Sequence, residues 1–356
     1  MTVEQVTLDP PGPTEIRVRM VAVGLCHTDL HALRGELPLG MTPMVLGHEG
    51  SGIVEEVGTE VHGIVEGDHV ALTWSPACGR CLPCAQGNHH RCVEGARIAT
   101  GTQLDGTFRR HDDTGEIVGG MCMVGAFAEK TVVDQASAVV VDPELPFDAV
   151  ALAACSVTGG FGAGMNAVRI RPGDAVLVVG VGGTGMSVIQ AARLSGARQV
   201  IAADIHEWKL QEAKRFGATD TIVVDTPGQL AGRVFGLTAT GVDHSFVCIG
   251  DADALAQAAR ATKVGGNTVV TALNPPSFSA IPLSPLELIA GQKTLIGSSY
   301  GSISQRVGIP ETLRHYKNGS LQIPELVSRT YQLDDIVAGF EDLAAGKNIR
   351  GLIRFD

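Results

Sequence analysis

The sequence lacks the features that mark nucleic-acid-binding, secreted or membrane proteins. It has no long basic run, and its formal net charge of -11 offers little attraction to a phosphate backbone. Its first twenty residues show neither the basic start nor the apolar block of a secretory signal, so we expect a cytoplasmic protein with reduced thiols. Its long uncharged stretches, Ala149 to Val168 and Ala175 to Ala192, are broken by glycines, which favours soluble core over membrane spans.

Cysteine is scarce, yet four of the eight cysteines fall within the fifteen residues CGRCLPCAQGNHHRC. In a reducing compartment such a cluster is more typical of metal ligands than of disulfides. The cluster predicts a closed, structural zinc site with four sulfur ligands: Cys78, Cys81, Cys84 and Cys92. An iron–sulfur cluster is the alternative, because the first three cysteines match the start of a ferredoxin run. That run continues differently, since Val93 stands where it has proline.

Three further motifs contain candidate metal ligands. Cys26 lies in GLCHTDLH, His48 in GHEGSGIVEEVG and Cys155 in AACSVTGGFG. A lone cysteine or histidine is more often a core or surface residue than a ligand. Together, two thiolates and one imidazole would leave a zinc ion one open position, which is the arrangement of a catalytic site.

A glycine-rich motif follows the apolar run AVLVVG and precedes the helical pattern MSVIQAARL. Its glycines allow a tight turn and close approach of a pyrophosphate to a helix N-terminus: Gly180, Gly182, Gly183 and Gly185. The next strand, QVIAAD, ends at Asp204, whose carboxylate can bind ribose hydroxyls and repel a ribose phosphate. The pattern predicts an NAD site, with a purely structural glycine turn as the alternative.

The order of predicted elements divides the chain into two domains of α/β class. Residues 157–299 alternate strand and helix, which predicts a doubly wound parallel sheet. Residues 1–156 contain short strand-like runs such as EIRVRMVAV, SGIVEEV and DHVALT, and predict a β-rich domain. We expect residues 300–356 to return to that domain through GLIRFD, so the cofactor domain is an insertion.

The motifs together resemble those of the zinc-dependent medium-chain alcohol dehydrogenases, over nearly the whole chain. The resemblance implies a GroES-like catalytic domain, a Rossmann domain that binds NAD, and two zinc ions per chain. It assigns the catalytic zinc to Cys26, His48 and Cys155, with Glu49 as an occasional alternative ligand. The implied reaction is reversible oxidation of a primary alcohol to the aldehyde by hydride transfer from a zinc-bound alkoxide.

The resemblance also suggests how the proton leaves. Thr28 would hydrogen-bond the alkoxide and His31 would pass the proton to solvent through the cofactor ribose. As an alternative, both are ordinary turn residues. Asp29 would orient His48, or else cap a helix.

Several cofactor contacts rest on the resemblance alone. It places His27 and Arg350 near the pyrophosphate, Lys209 near the adenosine ribose and Thr158 near the nicotinamide. Otherwise the charged residues among them are surface charges. Gly159 stands where the family frequently has threonine, which changes the expected nicotinamide contact.

Substrate and assembly are also implied by resemblance. Trp74 would form an aromatic wall suited to aryl or allylic alcohols, or else is a core tryptophan. The segment 96–124 resembles that of the dimeric branch, so we expect a homodimer. A thiol-dependent formaldehyde dehydrogenase is less favoured, because Leu37 and Ala96 replace its acid and arginine, although Arg97 is adjacent. An enzyme with tightly held NAD and a separate electron acceptor, and a non-enzymatic NAD-binding relative, remain alternatives.

Overall fold

A computed structural model describes residues 1–273 and 280–355 of the chain. The chain divides into two compact units. One is Met1–Ser156 together with the segment from Ile303 onward, and the other is Val157–Ser302. The second domain boundary was predicted between residues 299 and 300, whereas the units divide between Ser302 and Ile303.

Strands and helices account for most of both units. The strands in the described residues are β1 (Thr7–Leu8), β2 (Glu15–Leu25), β3 (Met44–Val45), β4 (Gly50–Val57), β5 (His69–Leu72), β6 (Arg110–His111), β7 (Gly119–Gly120), β8 (Lys130–Asp134), β9 (Ala138–Val140), β10 (Ala175–Val179), β11 (Gln199–Asp204), β12 (Asp220–Val223), β13 (Val242–Val247), β14 (Thr262–Val270), β15 (Thr294–Gly297), β16 (Val327–Tyr331) and β17 (Arg350–Arg354).

The helices follow the same chain order. The α-helices in the described residues are α1 (His27–Leu33), α2 (Leu82–Ala85), α3 (Phe147–Ala153), α4 (Ser156–Gly162), α5 (Gly183–Leu194), α6 (Glu207–Arg215), α7 (Leu230–Thr238), α8 (Ala252–Ala261), α9 (Pro285–Gly291), α10 (Gln305–Lys317) and α11 (Ile336–Ala344). A π-helical turn covers Ala163–Ala167, and short 3-10 turns cover His89–Arg91, Glu94–Arg97, Met121–Met123, Gln135–Ser137, Tyr300–Ser302, Pro324–Leu326 and Leu333–Asp335.

The first unit is built on a seven-stranded sheet in the order β16-β17-β2-β4-β5-β9, with β8 also paired to β2. The long strand β2 alternates buried and more exposed side chains over its first half, so one face packs on the core. That core contains Ile16, Leu25, Val70 and Phe340. The predicted runs correspond to β2, β4 and β5, and the end of the chain does return to this sheet as β17.

The ends of three neighbouring strands meet at one place in this sheet. Val23 of β2 pairs with Gly50 of β4, and Leu25 pairs with Gly351 of β17, both in antiparallel register. The end of β2 therefore lies beside the starts of β4 and β17. Residues just past these strand ends are brought together from distant parts of the chain.

The second unit contains a six-stranded sheet in the order β12-β11-β10-β13-β14-β15, and every pair in it is parallel. Chain order runs outward from β10 in both directions, which is the predicted doubly wound arrangement. All of β10 is buried, as expected for a central strand that is covered on both faces. Its sequence is accordingly a continuous apolar run.

Helix α8 passes directly into strand β14, because the helix ends at Ala261 and the strand begins at Thr262. The Thr262 hydroxyl donates to the Ala258 carbonyl at 2.9 Å and lies 3.0 Å from the Thr268 hydroxyl. The backbone amide and the hydroxyl of Thr262 thus both donate to the Ala258 carbonyl, while the Thr262 backbone becomes extended.

The described residues contain no single helix that is long and apolar enough to cross a membrane. Only a bent pair, Phe147–Ala153 with Ser156–Ala167, reaches that length and composition together. Ala149, Ala151 and Ala153 of the first helix are fully buried in the protein.

The turn between β10 and α5 depends on two glycines. Gly180 has a φ of +86°, which side-chain-bearing residues rarely adopt. A Cβ atom at Gly185 would lie 2.0 Å from the Gly180 carbonyl oxygen, whereas a Cβ at Gly182 would have nothing within 4 Å. The helix therefore begins directly against the end of the strand.

We expect Gly185→Ala to destabilise the second unit by about 1–3 kcal/mol, because the new methyl group must push the backbone of the turn apart. Urea unfolding followed by circular dichroism measures this. Gly182→Ala is the matched control and should leave the unfolding midpoint nearly unchanged. Equal midpoints for both variants would contradict the packing described here.

Candidate active site and metal centres

The four clustered cysteines form one compact group. The sulfur atoms of Cys78, Cys81, Cys84 and Cys92 all lie within 4.8 Å of one another. The sulfurs of Cys81 and Cys92 are 4.0 Å apart. Two sulfurs on a tetrahedral zinc are separated by about 3.8 Å, whereas a disulfide joins them at about 2.0 Å. All eight cysteines of the chain are free, so the spacing fits a metal ion and not a disulfide.

Backbone amides support negative charge in this group. The Cys78 amide donates to the Cys92 sulfur at 3.3 Å. The amides of Val93 and Cys84 lower the pKa of the Cys81 thiol to about 6. The thiolate is the form that binds metals. With four sulfur ligands the site has no open position for a substrate, so its role is structural.

A second group joins three residues that are distant in sequence. The ligand atoms of Cys26, His48 and Cys155 lie within 4.8 Å of one another. Cys26 follows the end of β2, His48 precedes β4, and Cys155 lies between α3 and α4. Three protein ligands of this kind leave a tetrahedral metal one open position. The structure thus brings together the ligand set expected for a catalytic zinc.

Asp29 orients the imidazole of this group. Its carboxylate is fully buried and accepts a hydrogen bond from the Gly47 amide at 2.9 Å. Its two oxygens lie 3.2 and 3.1 Å from His48 Nδ1. With Nδ1 held, Nε2 is the nitrogen left for a metal. The alternative role as a helix cap does not apply, because Cys26 is the N-cap of α1 and no side chain caps this helix end.

The group also shows strongly perturbed ionisation. A hydrogen bond from Cys155 lowers the pKa of Cys26 well below its usual value despite burial. Burial opposes charge on His48, but Asp29 and Cys26 raise its pKa well above the usual range. Because a metal competes with these protons for the same atoms, metal binding here would release protons.

Glu49 lies beside the group in a fully buried position. Its Oε1 accepts from the Ser156 amide at 3.0 Å and from the Ser156 hydroxyl at 2.6 Å. Its Oε2 is paired with Arg350, which is also buried. The structure therefore places the Arg350 guanidinium on Glu49, although the sequence suggested a pyrophosphate contact. Ser156 was not predicted, and only its position next to Cys155 hinted at it.

Helix α1 carries Thr28 and His31 on one face, because they are three residues apart. The Thr28 hydroxyl lies 3.7 Å from the Cys26 sulfur. His31 Nδ1 lies 2.5 Å from Glu36 Oε2, a contact that the sequence did not reveal. His27 is exposed at the start of the helix, with its ring centroid 6.4 Å from that of His31. Both Thr28 and His31 are thus helical and not turn residues.

The predicted dinucleotide motif is assembled within the second unit. Gly182 is the N-cap of α5, Gly183 is its first residue, and open space surrounds the Gly182 Cβ position. A pyrophosphate can approach the backbone there. The Asp204 carboxylate accepts from the amides of Val181 and His206, both at 2.9 Å, which fixes it at the end of β11.

Other predicted contact residues of the second unit differ in accessibility. Lys209 is largely buried, and burial lowers its pKa against the opposing effect of Asp204. Its ammonium lies 5.7 Å from the Trp208 ring centroid. Thr158 has no exposed surface, so a cofactor contact there needs rearrangement. The neighbouring Gly159 has open space at its Cβ position.

Two family models match the chain. The alcohol dehydrogenase GroES-like domain matches residues 12–143, and the zinc-binding dehydrogenase domain matches residues 183–315. Alcohol dehydrogenase B of Mycobacterium tuberculosis is 36% identical over 358 residues, covering 99% of this chain and 95% of that protein. The chain belongs to the zinc-type medium-chain alcohol dehydrogenases. As a member of this family it is an enzyme that uses zinc and a nicotinamide cofactor.

Other members of the family are similar over comparable lengths. The NDMA-dependent alcohol dehydrogenase of Amycolatopsis methanolica is 36% identical over 99% of this chain and 94% of its own. The S-(hydroxymethyl)glutathione dehydrogenase of Saccharomyces cerevisiae is 35% identical, covering 100% of this chain and 93% of that protein.

Two solved structures share the fold. Benzyl alcohol dehydrogenase of Acinetobacter calcoaceticus has a TM-score of 0.91 and 30% identity, covering 99% of this chain and 94% of that one. A Sinorhizobium meliloti protein solved with NADP has a TM-score of 0.78 and 28% identity, covering 98% of this chain and 94% of that one.

We expect Cys81→Ser to remove one zinc per chain and to lower the unfolding temperature. The segment that contains the four clustered cysteines, residues 78–92, packs on a small buried apolar cluster: Ala77, Cys84 and Cys92. We therefore expect the metal to supply most of its stability. Metal analysis and thermal unfolding test this. Cys248→Ser is the control, and a similar zinc loss in that variant would contradict the assignment.

We expect Asp29→Asn to weaken zinc binding at the Cys26, His48 and Cys155 group about 10- to 100-fold, since the imidazole loses its carboxylate partner. In a chelator titration, one zinc should then leave at a lower chelator concentration than in wild type, and the other at the same concentration as in wild type. Asp113→Asn, which changes an exposed carboxylate of the same unit, serves as the control. Unchanged release of both ions from Asp29→Asn would show that Asp29 does not orient a ligand.

Proposed function

We propose that the protein is a zinc-dependent, NAD-linked alcohol dehydrogenase that interconverts primary alcohols and aldehydes. The observation that carries the proposal is the grouping of Cys26, His48 and Cys155 within 4.8 Å in a chain of this family. Three ligands leave room for an alcohol oxygen at the fourth position. The four-cysteine group supports a second, structural zinc.

Cys26, His48 and Cys155 would hold the zinc, which would supply polarisation of the alcohol oxygen, and bound NAD+ would supply the hydride acceptor, so that alcohol and NAD+ would give aldehyde, NADH and a proton. The chain holds and orients the reactants. Asp29 fixes His48, and the Thr28 hydroxyl accepts the substrate proton near Cys26. His31, which is partly exposed on the same face of α1, passes that proton towards solvent.

The charge at the end of β11 supports NAD over NADP. The Asp204 carboxylate is fixed by two backbone amides, so it cannot easily turn away from a ribose. A carboxylate there accepts hydrogen bonds from the ribose hydroxyls and repels a 2′-phosphate. The solved relative with NADP makes a direct comparison of the two cofactors part of the test.

Aryl, allylic or medium-chain alcohols are the proposed substrates. Trp74 is half-buried and packs against the core of the first unit. The solved relative that is named a benzyl alcohol dehydrogenase supports an aromatic substrate. Flat substrates pack well against an aromatic face.

The formaldehyde alternative has a named relative but weaker support in the site. Leu37 and Ala96 do not provide the expected acid and arginine. The adjacent Arg97 is engaged with Glu94 at 3.3 Å and with the Leu104 carbonyl at 3.5 Å. It is therefore held by its own loop.

Tightly held NAD remains the second candidate mode, because an NDMA-dependent enzyme is among the relatives. This mode predicts that purified protein carries NAD and needs an added electron acceptor. Absorbance and extraction of the bound nucleotide distinguish the two modes.

We also propose a cytoplasmic homodimer. Strand β15 forms an open edge of the six-stranded sheet, and three of its four residues are exposed. Leu286 and Ile289 of α9 are 69% and 74% exposed. Within the described residues, an edge strand and exposed apolar side chains each favour pairing with a second copy. The free thiols proposed as metal ligands require a reducing compartment.

The decisive experiment compares wild type with Cys26→Ala in zinc content and in NAD reduction with benzyl alcohol, geraniol and ethanol. We expect two zinc ions in wild type, one in the variant, and turnover by wild type alone, faster with the first two alcohols and with NAD than with NADP. Cys248→Ala should keep both zinc ions. One zinc in wild type and variant, with no turnover by either, would overturn the proposed function.

A further inference from the structure

The turn that ends helix α1 places the Glu36 carboxylate beside His31. Gly35 has a φ of +69°, and its amide donates to the Ala32 carbonyl at 3.0 Å. The Glu36 amide donates to the His31 carbonyl at 2.8 Å. This pair of bonds is a Schellman motif, in which the residue after the glycine packs against the residue that accepts its amide. That packing contact is usually apolar.

Here the contact joins two polar side chains instead. His31 Nδ1 lies 2.5 Å from Glu36 Oε2. The histidine side chain is 19% exposed and the glutamate 35%, so both are partly shielded from water. An ionised carboxylate only accepts hydrogen bonds, so Nδ1 must carry the hydrogen. Nε2 is then the free nitrogen of the neutral ring.

This arrangement repeats that of Asp29 and His48 at the other end of the same helix. There a buried carboxylate holds Nδ1 and leaves Nε2 for a metal. At His31 the Glu36 carboxylate likewise holds Nδ1, and Nε2 is left to accept a proton. The contact between His31 and Glu36 could not be predicted, because Glu36 belongs to no motif and lies beyond the helix.

We propose that Glu36 is a positioning residue for the proton exit. It accepts Nδ1–H of His31, so that in the neutral ring Nε2 is the nitrogen without a hydrogen and can receive the proton that leaves through Thr28. Without this partner the ring can rotate and place its hydrogen on Nε2, where it blocks transfer. The inference rests on the proposed alcohol dehydrogenase function for its consequence, but the ring tautomer is a property of the chain itself.

The test uses Glu36→Leu in the purified zinc enzyme. Leucine supplies the apolar contact usual for this motif, so the turn should persist. Nitrogen NMR of histidine-labelled protein, with His31→Gln to assign the signal, reports the tautomer. We expect wild type to show Nδ1–H, and Glu36→Leu to lose that preference. Alcohol oxidation should fall roughly 10-fold in kcat, with little change in KM, because proton transfer and not substrate binding is affected.

Two further variants separate this role from a structural one. Glu36→Gln keeps an oxygen acceptor and should recover part of both the tautomer and the rate; it also tests the inference if the leucine variant fails to fold. Glu116→Leu removes an exposed carboxylate from the same unit and should match wild type. An unchanged tautomer in the Glu36 variants, or a changed tautomer with wild-type turnover, would overturn the inference. No alcohol turnover by wild type would instead count against the proposed function.

Discussion

The buried carboxylate of Asp29 is the contact on which the catalytic group depends. A carboxylate without exposed surface is costly unless hydrogen bonds and nearby positive charge compensate it. The Gly47 amide and the His48 ring provide that compensation, and in doing so they fix helix α1 against the turn that precedes β4. Cys26 begins that helix, so the same contact sets the separation between the thiol and the imidazole. This one contact therefore positions both a thiol ligand and the imidazole ligand of the metal site.

The surrounding charges make the site suited to a cation. A low-pKa thiol at Cys26 and the carboxylates of Asp29 and Glu49 lie close together, and the buried Arg350 contributes a positive charge beside them. Arg350 is paired with Glu49, and the Ser156 hydroxyl and amide hold the other oxygen of that carboxylate. Glu49 is thus fully engaged within the protein. The thiolates and imidazole are left as the ligands that a soft divalent metal prefers.

The parts of the site that could be predicted from sequence are those encoded locally. The four-cysteine cluster and the turn around Gly180 lie within short stretches, where spacing alone limits the geometry. Cys26, His48 and Cys155 are far apart in sequence, and only their ligand chemistry and the family resemblance grouped them. The pairing of β2 with β4 is the physical reason that Cys26 and His48 meet. The partners of Arg350, Ser156 and Glu36 could not be predicted, because each depends on where a side chain points after the strands have paired. Thr158 was expected near the nicotinamide but is buried. The sequence does not show which face of its helix another element covers.

Helix α1 shows how a short element can separate two chemical tasks. It has seven residues, so it is about 10 Å long. Asp29 in its first turn is buried and orients the His48 ligand, whereas its last turn contains the partly exposed His31. Thr28 and His31 share a face, and Asp29 lies about 100° around the helix from Thr28, so the proton path and the metal support occupy different sides. A carboxylate fixes the imidazole at each end. The exit geometry therefore depends on the glycine turn after the helix, while the metal geometry depends on the pairing of β2 with β4.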